Sequence, residues 1–219
     1  QFKIFEKVLA KKKFFIGDSW QSIYEFRGAD GEVFNKLGEG FDIYKLKYNY
    51  RSYQEIINYA TTVYEALNGN LWGDCYISQH DWCDYSSIQC ERGEGGVVMV
   101  INPYKDGFQV IQGNNVKPLR TPTQAVYNFL KQYNPMILCR TNKQVKGIQE
   151  LGWINTTTIH QAKGLEYDNV VVVDTAIKDS EDLNVAYVAM TRARDRLLVI
   201  SWPVLEDLLR RYQINPYGI

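Results

Sequence analysis

From Val97 to Tyr212 the sequence alternates short apolar runs with longer amphipathic ones, and that rhythm limits the folds open to it. Val97–Ile101, Met136–Cys139, Thr156–His160, Val170–Asp174 and Leu197–Ser201 are read as strands. Thr123–Tyr133, Lys143–Leu151, Asp182–Arg194 and Val204–Tyr212 are read as helices. Short apolar strands taking turns with helices predict an α/β fold whose mostly parallel sheet is covered by helices on both faces. The sequence contains no internal repeat and no low-complexity linker.

The first hundred residues are less regular. Residues 2–12 read as a helix ending in Lys11-Lys12-Lys13, followed by a short buried strand, Phe14–Gly17. Asp30–Phe34 starts a short helix that Gly38 and Gly40 stop. Phe41–Tyr48 alternates like a strand, and Asn49-Tyr50-Arg51-Ser52 caps a helix. In that helix Ile56, Ile57, Ala60, Val63, Tyr64 and Leu67 recur at helical spacing until Asn68-Gly69-Asn70. Residues 68–96 are polar, aromatic and irregular, and read as a connector or a small insertion.

With 25 basic and 25 acidic residues the chain carries no net charge, which argues against a strong duplex binder. A local groove with stacking aromatics remains compatible with single strands. No apolar run approaches the ~20 residues of a membrane span, and the start has no signal-peptide pattern. Four cysteines without an export signal read as reduced thiols in a cytoplasmic setting. The missing initiator Met suggests a piece of a longer chain.

Cys75, His80, Cys83 and Cys90 fall within sixteen residues, and tetrahedral zinc accepts such a set. Their spacing lacks paired Cys-x-x-Cys knuckles, so free thiols and a surface histidine are the preferred reading, with no metal site.

Four short strings carry chemistry. In Gly17-Asp18-Ser19-Trp20-Gln21-Ser22-Ile23-Tyr24-Glu25-Phe26-Arg27-Gly28-Ala29, the Gln21 amide can bond a phosphate or a nearby water. Tyr24 and Phe26 offer faces on which bases stack, worth roughly 1–3 kcal/mol per base, and Arg27 adds a cation. In Asn49-Tyr50-Arg51-Ser52, an arginine at a strand-to-helix junction can reach a phosphate and a tyrosine can stack on a base. The plainer alternative is that Arg51 pairs with an acidic surface and Tyr50 packs.

In Thr156–Tyr167, Lys163-Gly164 sets a cation beside an exposed backbone amide, which suits a phosphate oxygen. Glu166 can accept from a ribose hydroxyl, and a strand over 156–160 would place Thr158 and His160 on one face. In Tyr187-Val188-Ala189-Met190-Thr191-Arg192-Ala193-Arg194, a helical Arg192 can serve as an arginine finger, worth ~10³–10⁵ in rate. The competing reading is an ordinary helix with a basic last turn.

These strings resemble, in order, four motifs of UvrD/Rep-type superfamily 1 helicases: Gly-Asp-x-x-Gln-Ser-Ile-Tyr-x-Phe/Trp-Arg-Gly-Ala, Asn-Tyr-Arg-Ser, Thr-x-His-x-x-Lys-Gly-Leu-Glu-Phe/Tyr and Tyr-Val-Ala-x-Thr-Arg-Ala. The resemblance implies a RecA-like fold of the P-loop NTPase type, with residues 1–40 ending a first motor domain and 41–219 forming the second. It implies that Tyr50 stacks near adenine and that Arg51 and Arg192 approach the γ-phosphate. Gln21 joins them as a catalytic residue, while Gly164 and Glu166 lie near the nucleotide. Tyr24, Phe26, Arg27, Thr158, His160 and Lys163 serve single-stranded DNA or the motifs' own geometry.

The resemblance further implies ATP with Mg²⁺, a partner N-terminal RecA-like domain, a cytoplasmic, nucleoid or nuclear location, and translocation on single-stranded DNA with 3′–5′ polarity. No Gly-x-x-x-x-Gly-Lys-Ser/Thr phosphate loop and no Asp-Glu magnesium motif occurs before Lys13. This chain alone is therefore expected not to turn over ATP. Only a few residues separate Leu151 from Thr156, where many relatives insert an accessory domain. Other possibilities are a nonenzymatic module that binds single strands or a partner, and a helicase–nuclease, for which a nuclease carboxylate cluster would be needed after Arg194. A Phe14–Gly17 strand without its sheet neighbours would leave an apolar edge exposed.

Overall fold

Four consecutive valines, Val170–Val173, run through the middle of the sheet, and their alternation divides the core in two. The computed structural model of the protein describes residues 7–24, 42, 44, 46–72, 88–102, 107–112, 115–118, 122–174 and 177–212. Its strands are β1 (Tyr48–Asn49), β2 (Gln89–Cys90), β3 (Val97–Asn102), β4 (Gly107–Gln112), β5 (Asn115–Pro118), β6 (Met136–Cys139), β7 (Thr156–Thr158), β8 (Tyr167–Asp174) and β9 (Ala193–Ser201). Its helices are α1 (Gln54–Trp72), α2 (Pro122–Tyr133), α3 (Asn142–Glu150), α4 (Ile159–Ala162), α5 (Ser180–Met190) and α6 (Trp202–Tyr212), with a 3₁₀ turn at Ser19–Gln21.

Seven strands form the main sheet in the order β5-β4-β3-β9-β8-β6-β7. The pairs β3–β9, β9–β8, β8–β6 and β6–β7 are parallel, and β4 and β5 extend one edge as antiparallel strands. Val170 and Val172 point into a core shared with Ile56, Ala60, Leu183 and Val188 of α1 and α5. Val171 and Val173 point the other way, among Val126, Leu130, Ile148 and Leu205 of α2, α3 and α6. A strand buried on both faces has no reason to alternate with polar residues, which accounts for the valine run. The α/β architecture, a largely parallel sheet between two helical layers, is as the sequence predicts.

Several local readings change. Residues 7–12 are not helical and are exposed, with no surface against which a helical face could be buried. Phe14–Gly17 is not a strand, and Phe14 and Ile16 are 84% and 88% exposed. Of Phe41–Tyr48, only Tyr48 is in a strand among the described residues. The helix predicted to stop at Asn68 continues to Trp72. Strands β4 and β5 go beyond the sequence reading, although only Gly113-Asn114 separates them, a familiar hairpin spacing.

Two revisions matter for function. Thr156–His160 is not one strand, because β7 ends at Thr158. There the Thr158 side chain accepts from the Gln161 amide while the Gln161 side chain reaches back to Thr158, a capping box that starts α4. Thr158 and His160 therefore do not share a strand face. Likewise, helix α5 does not extend to Arg194. The Thr191 amide and hydroxyl close it on the carbonyls of Tyr187 and its neighbours, and Ala193 begins β9 by pairing with Tyr167.

Candidate functional site

Asn49 sets up the first half of the site. Its Oδ1 accepts from the amides of Arg51 and Ser52, both at 2.9 Å, and turns the chain from β1 toward α1. Ser52 Oγ donates to Ala193 O at 2.6 Å and the Tyr53 amide donates to Arg194 O at 3.1 Å, so this junction lies against the start of β9. Arg51 then points across to the end of the Lys163–Glu166 loop. Its Nε donates to Glu166 Oε2 at 2.8 Å and its Nη1 to Thr191 O at 3.3 Å. Tyr50 is left 72% exposed beside it.

Glu166 faces two cations. Arg51 binds one carboxylate oxygen and Arg194 Nη1 lies 3.8 Å from the other, while Arg194 also stands 3.6 Å from Asp168. The hydrogen bond from Arg51 holds the Glu166 carboxyl below its ordinary pKa. Behind this pair sits Arg192, only 1% exposed. Its guanidinium donates to Val188 O at 2.9 Å, Leu165 O at 3.2 Å and Thr191 Oγ1 at 3.3 Å. Burial, then the charge of Arg51, lowers its pKa to about 10. Three guanidinium groups thus converge on one carboxylate, an arrangement that offers donors to a polyphosphate once Glu166 lets go. Gly164 has φ +86°, a conformation that glycine adopts without strain, and it lets the loop turn between Lys163 and Glu166. An open cleft of about 480 Å³ adjoins Glu166, Asp168 and Arg194, with Asn134, Asn155 and Asn169 across from them.

The second half of the site is a segment pinned by its own carbonyls. Asp18 caps the Ser19–Gln21 turn, and its other carboxylate oxygen accepts from Gln21 Nε2 at 2.7 Å. Lys163 Nζ donates to Gln21 O at 2.7 Å, and Asn184 Nδ2 donates to Ser22 O at 2.9 Å. His160 Nε2 lies 3.1 Å from Ile23 O, and Tyr24 Oη donates to His160 O at 3.3 Å. Lys163 also sits 4.9 Å over the Tyr24 ring. Burial and the nearby Arg192 charge lower the Lys163 pKa. Trp20 stacks on Tyr64 at 3.8 Å, with the edge of Tyr187 completing the aromatic contact.

Gln21, Tyr24, His160 and Lys163 are therefore brought together, and so are Arg51, Glu166 and Arg192, with Tyr50 and Gly164 alongside. Thr158 serves as the cap of α4. Phe26 and Arg27 lie outside the described residues, as do Cys75, His80 and Cys83. Cys90 is a buried thiol whose pKa burial raises to about 11, and no group of three or more potential metal ligands occurs among the described residues. Sequence reasoning misses Asn184, Trp20 and Arg92. Trp20 lies inside a motif already singled out, whereas Asn184 makes its contact through a backbone carbonyl that side-chain patterns do not report. No helix among the described residues is long and apolar enough to cross a membrane.

Comparison with known proteins agrees with this arrangement of motifs. Residues 1–42 match the UvrD/REP helicase N-terminal domain, and residues 114–203 match the UvrD-like helicase C-terminal domain. A probable DNA helicase of Mycoplasma pneumoniae is 28% identical over 223 residues, covering 86% of this chain and 38% of that protein. An ATP-dependent helicase/nuclease of Streptococcus pyogenes is 38% identical over 76 residues, covering 31% of this chain and 6% of that protein. The chain thus spans well under half the length of these relatives.

Proposed function

This chain belongs to the UvrD/Rep-type helicase family, and on that footing we propose that it is the C-terminal motor portion of an ATP-dependent DNA translocase. Residues 1–40 would close a first RecA-like domain and 41–219 would form the second, in a cytoplasmic, nucleoid or nuclear protein. The observation that carries the proposal is the convergence of Arg51, Arg192 and Arg194 on Glu166 at the edge of the sheet. Such a cluster suits an ATP phosphate chain held between two domains.

In this reading, Arg51 and Arg192 meet the γ-phosphate and Tyr50 stacks on the adenine. Glu166 passes from Arg51 to a ribose hydroxyl when nucleotide arrives. Arg192 stabilises charge that develops during phosphoryl transfer. Its donors already aim at carbonyl oxygens, so only a small shift of the Leu165 loop is needed for one of them to reach a phosphate oxygen. The described residues offer guanidinium groups for phosphate, and their carboxylates are committed to arginines. Mg²⁺ would be held chiefly by an upstream phosphate-loop domain.

Tyr24, with Phe26 and Arg27, would contact single-stranded DNA. His160 and Lys163 link that segment to the nucleotide side, so that closure on ATP moves the stacking groups along the strand, with 3′–5′ polarity. The experiment is single-strand-stimulated ATPase of the full-length protein, wild type against Arg192→Ala. Activity that is lost in the variant supports the motor reading. Near-normal turnover in the variant removes the finger assignment. A wild type without turnover leaves a nonenzymatic module, which the complete internal bonding of the Arg192 guanidinium also accommodates.

A further inference from the structure

The stretch before β3 reads in sequence as an irregular connector, yet it is built onto the start of α1. Gln54 donates from Nε2 to Ile88 O at 3.0 Å, accepts from the Cys90 amide at 2.8 Å, and gives its own amide to Gly93 O at 2.9 Å. Glu55 is buried and accepts from the amides of Gly95 and Gly96 at 2.9 and 3.0 Å. A Cβ on Gly96 would come within 2.7 Å of Tyr53 Cβ, so only glycine fits this approach. The turn is fixed from several sides, and one side chain leaves it toward the phosphate cluster.

That side chain is Arg92. Its Nη1 donates to Arg51 O at 3.0 Å and to Arg194 O at 3.2 Å, and its Nη2 pairs with Asp195 at 2.8 Å. The guanidinium lies 4.1 Å over the Tyr53 ring. One planar fork thus ties the backbone of Arg51 to the beginning of β9, two residues beyond Arg192. Lysine cannot reproduce that geometry, because it presents a single ammonium rather than a fork. With two carbonyls and a carboxylate engaged, Arg92 has its donors committed inside the protein rather than toward a ligand.

We propose that Arg92 is a positioning residue that sets Arg51 in register with Arg192 for phosphate binding. This inference rests on the phosphate-site reading given above. A misplacement of about 1 Å at such a site can cost as much as about 100-fold in rate, without removing any group that touches the nucleotide.

The test is ATPase of the full-length protein with single-stranded DNA, comparing wild type, Arg51→Ala, Arg92→Ala, Arg92→Lys and the double variant Arg51→Ala/Arg92→Ala, with thermal melting of each. Arg92→Ala and Arg92→Lys are expected to lower kcat between about 10- and 100-fold, with the KM for ATP within about twofold of wild type. The double variant is expected to be no slower than Arg51→Ala alone, because Arg92 acts through Arg51. Should Arg92→Ala fail to fold, Arg92→Lys carries the comparison, since it keeps the charge facing Asp195.

Wild-type kcat in Arg92→Lys, or a further proportional loss in the double variant, overturns the inference. Arg51→Ala as fast as wild type, or a wild type without turnover, instead removes the site reading and the inference with it. A slow Arg51→Ala beside an unimpaired Arg92→Ala overturns the inference alone.

Discussion

The ammonium of Lys163 donates to the backbone carbonyl of Gln21 at 2.7 Å, joining two motifs that lie 142 residues apart. Asn184 and His160 hold the next two carbonyls in the same way. Three side chains, from the loop after β7 and from α5, thus grip a segment with little regular structure of its own. The hold is directed at the backbone, so it fixes where the segment runs and leaves its side chains to differ. Tyr24 is held at both ends of its contact with α4, since its hydroxyl meets His160 O while its ring lies under Lys163.

Replacing Lys163 by Met keeps much of the stem but removes this grip. A hydrogen bond to a charged group contributes about 1.5–3 kcal/mol, and Lys163 is partly exposed, so the expected loss of stability is nearer ~1 kcal/mol. The larger effect is expected locally. Amide hydrogen exchange of the peptide holding Gln21–Tyr24 should accelerate several-fold, while the peptide holding Val170–Val173 is unchanged. Unaltered exchange at 21–24 would show that Ile23 burial and the Trp20–Tyr64 stack suffice to hold the segment.

Arg192→Ala is expected to act on both stability and chemistry. Two buried carbonyls, Val188 O and Leu165 O, lose their donor, which costs about 1–3 kcal/mol for each group left without a partner. In the full-length protein kcat should fall by ~10³ or more, with single-strand affinity nearly unchanged. Denaturant unfolding and ATPase measured on the same preparations separate the two effects. An equally destabilised variant that keeps wild-type turnover would show that Arg192 is structural only.

Much of the fold is legible in the sequence because burial on both faces writes a plain pattern. Val170–Val173 and Met136–Cys139 could hardly be anything but inner strands. The errors have local causes. Thr156–Thr158 is β-branched, so its strand character reads on through Ile159, yet Thr158 and Gln161 form a capping box that starts a helix instead. The basic Arg192–Arg194 stretch suits a helix end, but pairing of Ala193 with Tyr167 draws it into the sheet. The motif residues of the site can be recognised one by one. Their mutual contacts cannot, because Lys163, His160, Asn184 and Arg92 all bind backbone carbonyls, which every residue carries.

Trp153 lies between α3 and β7 and is almost completely buried. It belongs to the core layer that includes Ile137, Ile148 and Leu205. Trp153→Ala removes a large indole from that layer and should cost about 3–5 kcal/mol, measured as a lower denaturant midpoint with little change in slope. Because the opposite core layer carries the Lys163 grip, hydrogen exchange at Gln21–Tyr24 should change no more than the global loss of stability requires. A loss under about 1 kcal/mol would mean that the site collapses around the smaller side chain.

Burial pushes the Cys139 thiol in β6 up to about 12 and raises Cys90 to about 11, with the charge of Glu55 adding to the effect at Cys90. Both values lie above the unfolded thiol's 9.0, so the protonated form is the one that folding favours. Their contribution to stability is complete below pH 9 and is lost as the pH climbs from 9 toward the folded values. The same shift predicts reactivity. At pH 8 the folded Cys139 should present about a thousandfold less thiolate than an unfolded cysteine, and it is also closed to reagent. Iodoacetamide labelling followed by peptide mass spectrometry should therefore leave Cys139 and Cys90 unmodified in native protein and modify both in denaturant. Raising the pH from 8 to 10 should bring native labelling of Cys90 forward before that of Cys139. Equal rates in native and denatured protein would contradict the burial of β6 between the two helical layers.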